Sequence, residues 1–217
     1  MSKDFDLIIV GGGMVGLTLA NALKESELQI AIVEASPQDY QLADAYELRV
    51  SALNRSSERL LENLGAGDCL ATERCGHFDA MHVWEHEGNG EIHFNAGSIA
   101  EPHLGSIVEN KAIQAALAKQ LQGVGSISWF CPALAQSLEL SEQGVRLRLE
   151  DNSVLCADLI VGADGANSWV RQQTSIESVG WSYEQSAVVG TVESEHGHRN
   201  VARQAFLPTG PLALLPL

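Results

Sequence analysis

Positive charge is what this sequence has least of. Its 217 residues carry 13 Lys and Arg against 28 Asp and Glu, a formal net charge of −15. Binding nucleic acid unaided requires clustered Lys and Arg to neutralise phosphates, so that function class is excluded. An anionic membrane surface repels such a chain for the same reason. The cysteines, Cys69, Cys75, Cys131 and Cys156, show no C-x-x-C spacing, which removes the common zinc and dithiol patterns. Reduced, buried thiols in a cytoplasmic protein are expected. No apolar run approaches the ~20 residues needed to cross a bilayer, and the short apolar run behind "SKD" does not resemble a secretory signal. Any membrane contact is therefore expected to be peripheral. No G-x-S-x-G points to a hydrolase.

Apolar residues are not lacking. At 45% of the chain they suffice for one good-sized core, or for one domain and part of another. The run Phe5 to Val10 reads as a strand buried on both faces. "GGGMVG" follows, and helical spacing then runs from Met14 to Glu25 with Val15, Leu19, Ala22 and Leu23 on its apolar side. A second strand, Gln29 to Glu34, completes a βαβ unit. The glycines contain G-x-G-x-x-G as Gly11, Gly13 and Gly16, closing a strand and opening a helix. Gly11 can make the tight turn, Gly13 admits a pyrophosphate and Gly16 permits close packing. The helix N-terminus offers free N–H groups and a partial charge of ~0.5 e. Glu34, at the end of the second strand, is placed to accept ribose hydroxyls, and its charge disfavours a 2′-phosphate. FAD or NAD is therefore expected, not NADP.

Further along, Ser36 to Leu48 reads as a polar loop, Ser51 to Leu64 as a helix, and 78–95 as a β-hairpin with a Gly-Asn-Gly tip. In the second of these, Arg55 and Arg59 are expected to form a solvated face with Glu58 and Glu62. A helix from Asn110 to Leu121 is followed by short strands, read as an antiparallel meander before a core strand from Asp158 to Val161. Past Gly180, "YEQSAVVGTVESE" and "RQAFLPTGPLALLPL" read as strands of another sheet, with "ESEHGHRN" as an exposed turn. The fold class expected is α/β: a Rossmann-like FAD/NAD(P)-binding domain over 1–180 with an inserted antiparallel meander, then a mixed-sheet substrate domain beginning at 181–217.

"DLIVGADGANSWVR" runs a hydrophobic strand into Asp164 and Gly165, with Ser168 and Arg171 behind. Spacing alone leaves two readings open. One is an Asp-Gly turn with a Ser helix cap; the other puts Asp164 in the cofactor crevice at the carboxyl end of a strand.

Taken together, "GGGMVG" with Glu34, "LRVSALN", "IVENKAI" and "GADGANSWVR" resemble the aromatic-ring flavoprotein monooxygenases of the p-hydroxybenzoate hydroxylase-like group. Within that group they are most similar to the ubiquinone-biosynthesis hydroxylases. The resemblance covers nearly the whole chain. It implies FAD as bound cofactor, NAD(P)H as reductant, O2 as co-substrate and a polyprenylphenol as the ring hydroxylated. Association with other ubiquinone-biosynthesis proteins, and peripheral contact at the inner membrane, are implied as well. Carried over by motif, Gly11, Gly13 and Gly16 hold the pyrophosphate and Glu34 the adenosine ribose. Arg49 reaches the FAD from the polar loop, Asn110 and Gln114 sit near the flavin side of the diphosphate, and Asp164 and Gly165 support FAD and receive NAD(P)H, with Arg171 as a helper. The family's Gly-Asp motif for the FAD ribitol falls beyond Leu217, so the chain is expected to be an N-terminal portion that binds FAD weakly or not at all by itself. No catalytic acid or base is assigned.

Two other readings remain for the same βαβ unit: an NAD-linked dehydrogenase, and a non-catalytic FAD-fold scaffold in a biosynthetic complex. His82, His86 and His93 share the proposed hairpin, yet no Cys or carboxylate at recognisable spacing completes a ligand set. No metal is expected.

Overall fold

The computed structural model describes residues 3–217. They form two compact units that exchange the chain three times: one contains the residues up to Tyr40 with Leu117–Ser186, the other Gln41–Ala116 with Ala187–Leu217. The sequence suggested a boundary at 180; the last exchange falls between Ser186 and Ala187, the first within the polar loop that follows Pro37, and the one at Ala116/Leu117 inside a helix.

The first unit is built on four parallel strands. β1 (Leu7–Val10) lies between β2 (Ile30–Val33) and a late strand, Leu159–Gly162, and the fourth, Ile127–Phe130, flanks β2. Every residue of β1 and β2 is buried, as continuous apolar runs require of strands covered on both faces. On one face Ile8, Val10, Ala31 and Val33 pack on Leu147, Leu149, Leu155 and Ala157 of the predicted meander, Ala135–Ser141, Gly144–Leu149 and Val154–Ala157. Each fully buried Ile or Leu contributes roughly 1.5–3 kcal/mol. "ISWF", expected in the meander, instead extends the parallel sheet.

Helix α1 (Met14–Leu23) connects β1 to β2. Its buried face is not the one expected: Gly16, Leu17, Ala20 and Asn21 are buried, while Val15 is 71% exposed. Asn21 can be buried because its Nδ2 donates to the carbonyls of Leu17 and Leu117, both at 2.9 Å.

In the second unit β3 (Val50–Asn54) precedes α2 (Arg55–Asn63), so the predicted helix over Ser51 to Leu64 begins four residues late. The Asn54 side chain accepts the Ser57 N–H at 2.9 Å and starts the helix there. One sheet pairs β3 and β4 (Cys75–Phe78) antiparallel to β7 (Gly105–Glu109). The predicted hairpin is β5 (Ala80–Glu85) with β6 (Glu91–Asn95), and β5 also pairs, in parallel, with Val201–Leu207, itself hairpinned to Gly210–Leu214. This is the expected mixed sheet. "YEQSAVVGTVESE", expected as a strand, is exposed and forms no regular element. α3 (Asn110–Lys119) follows β7 directly.

No described helix is long and apolar enough to cross a membrane. All four cysteines are free thiols; only Cys69 is buried, the others being half-buried, which corrects the expectation for those three. Burial pushes the Cys69 thiol up to about 11, keeping it protonated and unreactive.

Candidate cofactor site

The glycine turn lies where the carboxyl ends of three parallel strands converge. Gly11 has φ +110, a conformation open to glycine and costly for other residues. Its N–H donates to the Val33 carbonyl at 2.8 Å, and Val10 accepts from Ala163 at 2.7 Å, tying the turn to β2 and to the loop after the late strand. A Cβ on Gly11 would run into the Ala163 carbonyl, and one on Gly16 into the carbonyl of Gly11. These two glycines build the turn. Gly13 differs: it is the N-cap of α1 at φ −77, with no side-chain cap and no acid in the first helical turn. The N-terminus of a ten-residue helix is thus left bare, and it carries orphan N–H groups and the positive end of the helix dipole.

Glu34 is more constrained than its spacing suggested. Its Oε2 accepts the Gly12 N–H at 2.6 Å and its Oε1 the Ser36 N–H at 2.8 Å. Two backbone donors therefore fix the carboxylate beside the turn, and each oxygen keeps acceptor capacity for a further hydroxyl. Its charge is felt nearby. Burial and then the neighbouring Cys131 and Glu34 push the Tyr40 phenol up, and burial followed by Glu34 does the same to Cys131.

Asp164 resolves toward the turn-and-cap reading as far as its side chain is concerned. Oδ2 accepts the N–H groups of Trp169 and Val170 at 2.7 and 3.1 Å, and Oδ1 accepts the Ser168 hydroxyl at 2.5 Å. Ser168 in turn caps α4 (Trp169–Gln173) through the Arg171 N–H at 3.0 Å. Arg171 donates back to the Ala166 carbonyl at 2.9 Å. What the loop presents to a ligand is backbone, at Gly165, whose φ is +86 and whose Cβ position is open. Asp164→Ala is expected to fray α4 and cost ~0.5–2 kcal/mol, the range for a lost helix cap; denaturant unfolding measures it.

The remaining predicted contacts belong to the second unit and lie close together. The Arg49 carbonyl accepts the Asn110 N–H at 2.9 Å, and Asn110 Oδ1 accepts the Ser51 hydroxyl at 2.6 Å. Gln114 lies one helical turn beyond Asn110 and is half-buried. The Arg49 side chain is exposed, with no hydrogen bond or ion pair among the described residues, so its charge is available to an anion.

A family model described as FAD binding domain matches residues 4–207. The chain belongs to that family. Among relatives, a rat protein named ubiquinone biosynthesis monooxygenase COQ6, mitochondrial, is 39% identical over 98% of this chain and 48% of its own length. A 3-demethoxyubiquinol 3-hydroxylase of Escherichia coli is 34% identical over 98% of this chain and 54% of its own. The chain spans about half the length of the curated relatives it matches. In fold it is similar to the tetrameric form of 2-methyl-3-hydroxypyridine-5-carboxylic acid oxygenase, with a TM-score of 0.68 at 24% identity over 95% of this chain and 53% of that one.

FAD is the cofactor of the family, and the first unit of this FAD binding domain has features that fit its adenosine diphosphate half. The helix N-terminus is bare, the turn has no side chains, and a fixed carboxylate stands within reach of the turn.

Sequence reasoning missed the buried charges of the second unit. Glu109, the acid of "IVEN", is fully buried and bridged by Arg74 at 3.2 and 3.3 Å. The same guanidinium donates to the carbonyls of Ala43, Asp44 and Ala45 and sits 4.8 Å from the Tyr46 ring centroid, fastening the polar loop. Glu58, expected on a solvated face, is fully buried instead. Arg55, His103 and Ser106 hold it, and His77 bonds Ser106 at 2.7 Å. Glu58, His77 and His103 are close enough to bind a cation, but Arg55 already supplies the positive charge: its Nη1 bonds Glu58 and lies 2.7 Å from His103 Nε2. An acid three residues after an arginine on a helix gives no sequence sign of which face it takes.

Proposed function

We propose that the chain is the dinucleotide-holding N-terminal portion of an FAD-dependent monooxygenase that adds one oxygen to the aromatic ring of a polyprenylphenol in ubiquinone biosynthesis, of the 2-octaprenylphenol hydroxylase kind. NAD(P)H serves as reductant and O2 as co-substrate. The bare N-terminus of α1 beside the fixed Glu34 carboxylate carries this reading, supported by relatives named as a ubiquinone biosynthesis monooxygenase and a 3-demethoxyubiquinol 3-hydroxylase. When bound, the flavin supplies electron transfer and oxygen activation.

The chain's own residues bind and orient. The N–H groups behind Gly13 take the diphosphate, Glu34 accepts the adenosine ribose hydroxyls, and the Gly165 backbone lines the crevice. Arg49, Asn110 and Gln114 form a second polar cluster for the flavin side of the diphosphate. Asp164 acts as a positioning residue by holding its loop against α4. Association with other proteins of the pathway and peripheral contact at the inner membrane belong to the same proposal.

The full-length protein is expected to purify yellow, to release FAD on denaturation, and to oxidise NAD(P)H in the presence of a prenylphenol with a product one oxygen heavier by mass. A colourless protein that retains NAD identifies the dehydrogenase instead. A flavin-loaded protein inert toward prenylphenols identifies the scaffold.

A further inference from the structure

The histidines of the β5–β6 hairpin lacked one thing in sequence, a carboxylate to complete a ligand set. The strand register supplies it. His82 pairs with His93 and Trp84 with Glu91, and because side chains alternate along a strand, all four stand on one face of the hairpin. Glu91 Oε2 lies 3.2 Å from His82 Nε2 and 3.4 Å from His93 Nε2. The two imidazoles stack at 4.1 Å with 14° between their planes, and the distances above put both Nε2 atoms beside the same carboxylate oxygen.

We propose that His82, Glu91 and His93 form a binding site for one divalent transition-metal ion, zinc in the first instance. Three donor atoms bonded at ~2.0–2.1 Å in tetrahedral geometry lie ~3.3 Å apart, and the two donor separations given above bracket that value. Two imidazoles and one carboxylate suit zinc and its neighbours in the first transition row rather than magnesium or calcium. Glu91 and His93 are exposed and His82 half-buried, which leaves the fourth position to water.

The surroundings favour a cation. Trp84 stacks on the His82 ring at 4.7 Å and steadies it. A depression of about 200 Å³ adjoins the site, lined by His82, Trp84, Glu85 and Glu91 with the glycine tip. There Gly88 and Gly90 leave room for the Glu85 carboxylate to fold over the turn, adding negative charge. The nearest cation in register, Arg203 opposite His82, is engaged by the carbonyls of His198 and Val201 at 2.9 and 3.1 Å. The buried Glu58 cluster has no such vacancy, since Arg55 fills it. This inference is independent of the flavin reading.

Titration of the full-length protein with zinc chloride, followed by calorimetry, tests it. The unsubstituted protein is expected to bind one more zinc ion than His93→Gln, with affinity at this site lowered at least ~100-fold, beyond the 10–100-fold that even outer-sphere partners cost. Glu91→Gln, which replaces the anionic ligand by a neutral amide, is expected to weaken binding by more than the ~10–100-fold of an outer-sphere partner as well. His86→Ala, on the same strand end but outside the ligand set, should titrate as the unsubstituted protein. Quenching of Trp84 fluorescence by copper(II), which such sites bind more tightly than zinc, gives a second readout and should vanish in His93→Gln. A His93→Gln protein that keeps both the zinc stoichiometry and the copper quench overturns the assignment.

Discussion

Replacing Gly13 by valine in the full-length protein is expected to leave the fold standing and remove the flavin. Gly13 sits at φ −77 and ψ −175, an extended conformation that a β-branched residue adopts without strain. What valine brings is a branched side chain at the bare mouth of α1, where a diphosphate must approach the orphan N–H groups. Losing those charge-assisted hydrogen bonds should lower FAD affinity at least ~100-fold, or ~2.8 kcal/mol. Gly11→Val supplies the contrast. There φ is +110 and the new Cβ meets the Ala163 carbonyl, so the turn itself must open and melting temperature should fall together with flavin content. Visible flavin absorbance per polypeptide and thermal melts separate the two. Stoichiometric flavin in Gly13→Val would refute the placement of the diphosphate.

That contrast also marks what could be read without coordinates. The G-x-G-x-x-G pattern between an apolar run and helical spacing placed β1, α1 and β2 correctly, since a doubly buried parallel strand needs an unbroken apolar run and the glycines must fall at its end. The pattern could not divide the labour among the glycines, because that depends on Ala163, well over a hundred residues away in the chain. The same distance hid the buried face of α1. Val15 and Leu19 look like core, but Asn21 is buried in the structure because a carbonyl of α3 is there to receive its amide. Where partners are local, reading along the chain succeeded: the hairpin tip and the exposed stretch at 193–200 involve residues a few positions apart, and the Ser168 cap is one of the two readings that spacing left open. "YEQSAVVG" failed for the opposite reason. Its β-branched residues satisfy a strand's propensity, yet no neighbouring strand pairs with them, and propensity without a ladder does not make a strand. Glu34 and Asp164 stand out by their spacing in the sequence, but apart from the Ser168 hydroxyl the hydrogen bonds that fix them run to backbone N–H groups and carry no side-chain signature.

Arg74→Met should produce the largest loss of stability, although Arg74 belongs to no motif. Glu109 is fully buried, and its carboxylate is held by the Arg74 guanidinium and the Glu47 N–H. Removing only the guanidinium strips a buried carboxylate of its bridging countercharge, a change that typically costs ~3–5 kcal/mol. It also releases three backbone carbonyls, at 43, 44 and 45, which now converge on the same fork. The loop they belong to runs directly into Arg49, so the variant should expose residues 41–48 to protease before the rest of the chain. Adding Glu109→Gln to Arg74→Met removes the stranded charge and should recover a large part of the loss, whereas the loop, still without its fastening, should stay protease-sensitive. Urea unfolding of the two single variants and the double variant yields the coupling between the pair. A loss below ~1 kcal/mol in Arg74→Met would place this bridge among ordinary surface ion pairs and would leave the polar loop held by something other than Arg74.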